Sequence, residues 1–328
     1  MKKIMMLSVL VLMFSCNKED NEKIVTRYIN AADSETQTPV KYQQVTAEFG
    51  ALTVQEGTFT EESKITPWSS WWFPTKDRYM FENADSKKLA PLQKYDLYVE
   101  RTDRGDSEAA LFEEREIYDP SEVNWAGLCH AWAVASVLHA EPKFEITRKK
   151  ISFSVADQKA LLLKSYENAQ GLKYYGDRYD GGFDDKFDDI YPDQFHRFAQ
   201  FFIFEKKLPF LMDYDPSYPV WTVPVYKITF KINKESENSA HVKAWVTTAS
   251  SFVDSPNYVG TKKTVKYYEY ELYGNWVGLQ LFVTGSKWIN DSAFDHPDFL
   301  VAFPDKASRG SLNKKLNIAI IDEIASKM

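Results

Sequence analysis

The stretch Val123-Asn-Trp125-Ala-Gly127-Leu-Cys129-His130-Ala-Trp132-Ala-Val-Ala-Ser136-Val-Leu-His139-Ala-Glu-Pro142 constrains the fold more than any other part of the chain. A loop ends at Gly127 and Pro142 cannot continue a helix, so the pattern predicts a helix with Cys129 in its first turn. Ala131, Ala133, Ala135 and Ser136 are small on several faces of that helix. Such a helix packs tightly inside a core and leaves only its start at a cleft.

After Pro224 the pattern changes to one of strands. Tyr226 to Ile232, His241 to Thr248, Thr264 to Tyr273 and Val277 to Val283 alternate or run apolar between turns such as Asp254-Ser-Pro256-Asn257. The expected class is α+β: a helical catalytic half carrying a thiol site, followed by an antiparallel β-rich half. Residues 1–15 read as a signal segment, 16–60 as a polar tether or lead-in, 61–222 as the catalytic helical region and 223–328 as the β-rich region packed on it. With 44% apolar and 15% aromatic residues, the chain can bury one large core or two modest ones.

Lys2 and Lys3 precede an apolar run from Ile4 to Phe14, which is a secretion signal and too short to span a bilayer. The run ends Leu-Met-Phe-Ser-Cys16, which resembles the lipobox at which bacterial lipoproteins are cleaved and acylated. Asn17-Lys-Glu-Asp20 behind it resembles the tag that sends some lipoproteins to the outer face of the outer membrane. The expectation is an exported, surface-exposed outer-membrane lipoprotein, tied to the membrane by lipid on Cys16. Removing Lys2 and Lys3 takes the net charge from −7 to −9, so the chain lacks the basic field that nucleic acid needs.

Cys16 and Cys129 are the only cysteines. If Cys16 carries lipid, Cys129 cannot form an intramolecular disulfide, and its thiol is either inert in a core or there for chemistry. Its position favours chemistry. At a helix start the backbone N–H groups and the positive end of the dipole favour a thiolate, and the same N–H groups can hold an oxyanion.

A thiolate needs a base, and the base an orienting group. His130 follows Cys129 directly, so its side chain points about 100° around the helix; His139 lies at the far end. His196 sits in Pro192-Asp-Gln-Phe195-His196-Arg-Phe198, a helix start with Pro192 in its first turn. Asp213 ends Leu208-Pro-Phe-Leu-Met-Asp213, an apolar run expected to be a buried strand. Cys129, His196 and Asp213 can make a triad. On spacing alone His241, or His296 with Asp298, serves nearly as well.

A resemblance separates these options. Trp125-Ala-Gly-Leu-Cys-His-Ala-Trp-Ala133, Ala156-Asp-Gln-Lys-Ala-Leu-Leu162, Phe195-His196, Asp213 and Val220-Trp-Thr-Val-Pro-Val-Tyr226 are similar, in this order, to successive motifs of the transglutaminase elicitor family. Pro67-Trp68-Ser-Ser-Trp71-Trp72-Phe-Pro74 upstream and Tyr268-Glu-Tyr-Glu-Leu272 with His296-Pro-Asp-Phe299 downstream extend it over roughly residues 65 to 305. With the lipobox, the chain looks like a bacterial member. The resemblance implies a papain/transglutaminase-like thiol site with Cys129 as nucleophile, His196 as base and Asp213 as orienter. Departures are Trp221-Thr222-Val223-Pro224 where the family has Trp-Asn-Gln-Pro, and Gly285-Ser-Lys-Trp288 where relatives have Gly-Gly-Glu-Trp. A catalytic histidine on a helix also differs from papain-like enzymes, which carry it on a strand.

The implied reaction is protein-glutamine γ-glutamyl transfer. A Cys129 thioester forms from a glutamine carboxamide and is resolved by a lysine or a small amine, giving an isopeptide crosslink, or by water, giving deamidation. Its partners are proteins bearing glutamine and lysine. Trp68, Trp72, Trp125 and Trp221 are candidates for substrate-channel walls or an oxyanion donor, and each could instead be core. No cofactor is required. The acidic stretch around Asp177, Asp180, Asp184 and Asp188 reads as a solvated loop, with calcium the alternative. Two rival functions are a cysteine peptidase or deamidase using the same triad, and a non-catalytic surface binding protein.

Overall fold

In the computed structural model, residues 37–177, 189–213, 221–303 and 308–325 are described. Cys16, the signal segment, Asp180, Asp184 and Asp188 lie outside the described residues. No described helix is long and apolar enough to cross a membrane.

Among the described residues a nine-stranded sheet runs in the order β1-β10-β9-β8-β7-β6-β11-β5, with β2 also paired to β7. The strands are β1 (Thr53–Gln55), β2 (Gly57–Glu62), β5 (Lys173–Gly176), β6 (Phe210–Asp213), β7 (Thr222–Lys234), β8 (Ser239–Ala249), β9 (Lys263–Val277), β10 (Gln280–Trp288) and β11 (Phe299–Ala302). All pairs are antiparallel. The long β7 pairs with β6 through Thr222 to Val225 and with β2 through Lys227 to Ile232. A separate hairpin joins β3 (Ile146–Arg148) to β4 (Ile151–Phe153).

The helices are α1 (Gln44–Phe49), α2 (Pro91–Arg101), α3 (Ala109–Phe112), α4 (Cys129–Leu138), α5 (Val155–Lys164), α6 (Pro192–Ala199) and α7 (Ile318–Ala325). The start of α5 is fixed by a reciprocal cap: the Asp157 amide donates to Ser154 Oγ at 3.1 Å and the Ser154 amide to Asp157 Oδ2 at 2.7 Å. Pro192 opens α6, as its fixed φ and missing N–H allow. The helix expected after Gly127 begins at Cys129, and apart from Cys129 its fully buried members include Trp132, Ala133, Val134 and Ala135. A helix apolar on all sides is stable only inside a core.

Side chains alternate along the strands and divide the core in two. Leu211, Val223, Phe299 and Val301 point to one face and join Ala131, Trp132 and Val134 of α4 and Leu161 to Leu163 of α5. Phe210, Met212, Val225, Leu300 and Ala302 point to the other face and join Phe195, Phe198 and Ala199 of α6. The helix bearing Cys129 and the helix bearing His196 therefore lie on opposite faces of one sheet.

The strands expected after Pro224 correspond to β7 to β10, all longer than the pattern indicated, and Val277, expected to start the last of them, instead ends β9. The boundary at residue 222 does not divide the fold, because β5 and β6, from the expected helical region, lie beside β11 in the same sheet. The expected tether also contributes structure: α1, β1 and the start of β2 fall within residues 16–60. Single strands cannot satisfy their backbone groups alone, so strands from both halves complete one another's ladders.

Candidate functional site

Cys129 is the first residue of α4 and is buried, at 7% exposure. The cap residue is Leu128, which offers no side-chain acceptor to the amides of the first turn. The first turn thus has no side-chain cap, and it lies at the positive end of the helix dipole. The chain reaches this point through a close backbone approach. The Leu128 amide donates to the Trp72 carbonyl at 2.6 Å, and Gly127 bridges to Pro74. A Cβ on Gly127 would lie 2.8 Å from both Trp72 Cδ1 and the Trp72 carbonyl, so only glycine fits beside this indole.

Trp72 packs on Trp221 (centroids 6.2 Å) and Phe252 (5.6 Å), and Trp221 packs on Phe252 at 4.7 Å. These three rings form an aromatic wall beside the start of α4. The indole N–H of Trp72 is buried and finds no acceptor among the described residues. Such a donor costs free energy unless something accepts from it. Next to the wall, a small, mostly apolar cavity of about 110 Å³ is lined by Val223, Ala249, Ser251 and Phe252.

Asp213 ends β6, fully buried, and its Oδ1 accepts from the Trp221 amide at 3.0 Å. Two residues beyond Leu211, it points to the same face of the sheet as α4. The thiol, Asp213, Trp72 and Trp221 thus share one side of the molecule.

His196 does not share that side, and its assignment as the base of Cys129 is corrected here. Its imidazole lies flat on Phe230, with centroids 4.0 Å apart, and its Nδ1 is 2.8 Å from the Tyr270 hydroxyl. Both partners belong to the core on the α6 face, so the sheet stands between His196 and Cys129. The physical reason is the face of α6: its aromatic stripe seeks the sheet core, and His196 follows Phe195 into it. Burial pushes its pKa down to about 3.

The rivals are also placed elsewhere. His241, on β8, pairs with Glu269 at 2.7 Å. His296 is fully buried, stacked on Trp288, with Nε2 3.2 Å from Asp189. His139 is the C-cap of α4, and its carbonyl accepts the Trp68 indole N–H at 2.9 Å. That bond, and a Trp132 indole donating to the Trp68 carbonyl at 2.8 Å, make Trp68 core and remove it from the channel candidates. Trp125 is partly buried in the loop before α4.

His130, the histidine set aside on helix geometry, is the one left at the thiol end of α4. Its ring stacks 17° from parallel on Tyr174, with Nε2 3.5 Å from the hydroxyl. Burial pushes its pKa down to about 4, which leaves the ring neutral at physiological pH. Nothing in the sequence marked Tyr174 or Phe252, since their rings reach the site from separate elements. Of the calcium candidates only Asp177 is described, and no group of three or more His, Cys, Asp or Glu suited to a metal occurs among the described residues.

The family model "Transglutaminase elicitor" matches residues 102–248. The chain is similar in fold to the crystal structure of the GP42 transglutaminase from Phytophthora sojae, with a TM-score of 0.68 and 17% identity over 89% of this chain and 98% of that one. No curated protein matches.

Proposed function

We propose that this protein is a transglutaminase-like thiol acyltransferase of bacterial origin, acting on protein glutamine side chains and held at the outer membrane by lipid on Cys16. The family match and the fold likeness to a transglutaminase support the class. The observation that carries the chemistry is a cysteine at a helix start without a side-chain cap, near a buried indole N–H that finds no acceptor among the described residues.

His130 replaces His196 as the proton carrier in this reading. His130 takes the Cys129 proton, and the thiolate attacks the carboxamide carbon. The oxyanion that forms is met by first-turn amides and by the Trp72 indole N–H. The C–N bond then breaks, the imidazolium of His130 gives its proton to the leaving ammonia, and a thioester remains. A lysine amine attacks it, His130 takes the amine's proton, and the thiolate leaves with an isopeptide bond formed. Water in place of the amine gives deamidation, and the wall of Trp72, Trp221 and Phe252 opposes water entry. Asp213 holds Trp221 by its backbone amide. The chemistry calls for no cofactor; calcium, if bound by the acidic residues from Asp177 onward, would act on stability, through linkage to the folded state.

The burial of Cys129 favours a second reading, a non-catalytic binding protein. Incubating the mature protein with a glutamine donor and a tagged primary amine separates the two. Incorporation that disappears in Cys129→Ala is the expected result. Ammonia release that does not depend on amine would mean deamidation, and a wild-type Cys129 inert to both substrate and iodoacetamide would sink the enzyme reading. Membrane fractionation of Cys16→Ser tests the anchor, with release into the soluble fraction expected.

A further inference from the structure

Away from the thiol, α2, the β3–β4 hairpin and the start of α5 enclose a groove of about 620 Å³, a volume typical of sites that take a ligand. Its charge is opposite to that of the chain. Lys88, Lys94, Arg101 and Lys150 line it, on a protein whose net charge is −7. Of the two carboxylates in it one is ion-paired and the other keeps its charge, and Lys88 is held by Asp85 at 3.6 Å. Asp157 pairs with Lys94 at 2.6 Å, and Glu145 accepts from Ser152 Oγ at 2.6 Å. Arg101 donates to the Lys149 carbonyl at 2.8 Å, and among the described residues neither Arg101 nor Lys150 faces a carboxylate.

The groove also has an apolar side. Leu89 is 40% exposed at its edge, and Tyr79, Leu97 and Ile151 contribute to its lining.

The turn that presents Lys150 is strained. Arg148 pairs with Ile151 across a two-residue connection, Lys149-Lys150, whose φ values are +48° and +61°. A turn with both central residues at positive φ favours Asn-Gly, and lysine is costly there. Such strain persists where the side chain has a use, so it motivates a functional reading. Folding alone would be better served by the ordinary turn residues.

We propose that this groove is a docking site for an acidic peptide segment with interspersed apolar side chains. Arg101 and Lys150 pair with its carboxylates, and Leu89, Leu97 and Tyr79 take the side chains between them. A polyanionic glycan or nucleic acid would leave the apolar lining idle, which is why a peptide is favoured. The proposal goes beyond the thiol chemistry and does not depend on it.

The test uses the mature protein and a fluorescein-labelled peptide of alternating Glu and Leu, read by anisotropy. Binding should weaken at least tenfold with R101E/K150E, and at least tenfold when the Glu residues of the peptide are replaced by Gln. K149N/K150G should raise Tm, by relieving the turn, and still weaken binding; a purely structural role for the turn would leave affinity unchanged. Alkylation of Cys129 by iodoacetamide should match wild type in every variant, which separates a failed groove from a failed thiol site. The proposal is overturned if wild type does not bind the Glu peptide, if R101E/K150E binds as well as wild type, or if a sulfated oligosaccharide of equal charge binds more tightly than the peptide.

Discussion

The imidazole of His196 lies 12° from parallel with the ring of Phe230, 4.0 Å away, on the face of the sheet opposite the helix of Cys129. A histidine held in that way packs and donates or accepts one hydrogen bond; it cannot serve a thiol across a sheet.

His196→Gln should therefore leave the pH profile of Cys129 alkylation by iodoacetamide close to that of wild type. His130→Gln should push the profile to higher pH, because the thiol then loses the group proposed to take its proton. The opposite ranking would restore His196 to the site.

Acid stability should also depend on His196. Its pKa in the folded protein is about 3 against an ordinary 6.5, so the unfolded chain binds the proton first as pH falls. The stability tied to the neutral ring is full above about pH 6.5 and is lost progressively as pH falls toward 3. His130, lowered to about 4, acts in the same direction. Between pH 7 and 5, Tm measured by circular dichroism should fall less in His196→Gln than in wild type.

Trp72 and Gly127 can be tested separately. Trp72→Phe removes the indole N–H and keeps most of the wall, so amine incorporation should fall by about 10²–10³ in kcat, the cost of one oxyanion donor. Gly127→Ala drives a methyl group to within 2.8 Å of the Trp72 carbonyl, and the backbone must move. A loss of about 1–3 kcal/mol is expected by urea denaturation. An unchanged midpoint would mean that the segments are not held together as described.

A buried cation braces the segment leading to the wall. Lys159, fully buried on α5, donates to the Ser69 carbonyl at 2.8 Å, the Tyr258 carbonyl at 2.7 Å and Glu141 Oε1 at 2.9 Å, and it lies over the Trp68 ring. Lys159→Met takes the cation from the buried Glu141 carboxylate, which keeps the Gly260 amide as donor at 2.8 Å, and should cost about 3–5 kcal/mol. Adding Glu141→Gln should recover part of that loss. If the double variant is no more stable than the single one, the charge on Glu141 is not the source of the cost.

Short-range physics made much of this molecule legible from the chain alone. Gly127, Pro142 and the run of small residues define α4 and put Cys129 at its start, because backbone conformation and side-chain volume act locally. Alternation after Pro224 marks β7 to β10, and Pro192 marks α6, for the same reason. Which face of the sheet each helix would cover was not legible, since that is settled by contacts between residues far apart in sequence. His196 and Cys129 belong to two well-formed helices, and the order Cys129, His196, Asp213 says nothing of the sheet between them. The tryptophan-walled start of α4 is likewise assembled from the segments around Trp72, Trp221 and Phe252. The sequence determined the elements and the position of the thiol; the packing of those elements on the two faces of one sheet decided which side chains the thiol can reach.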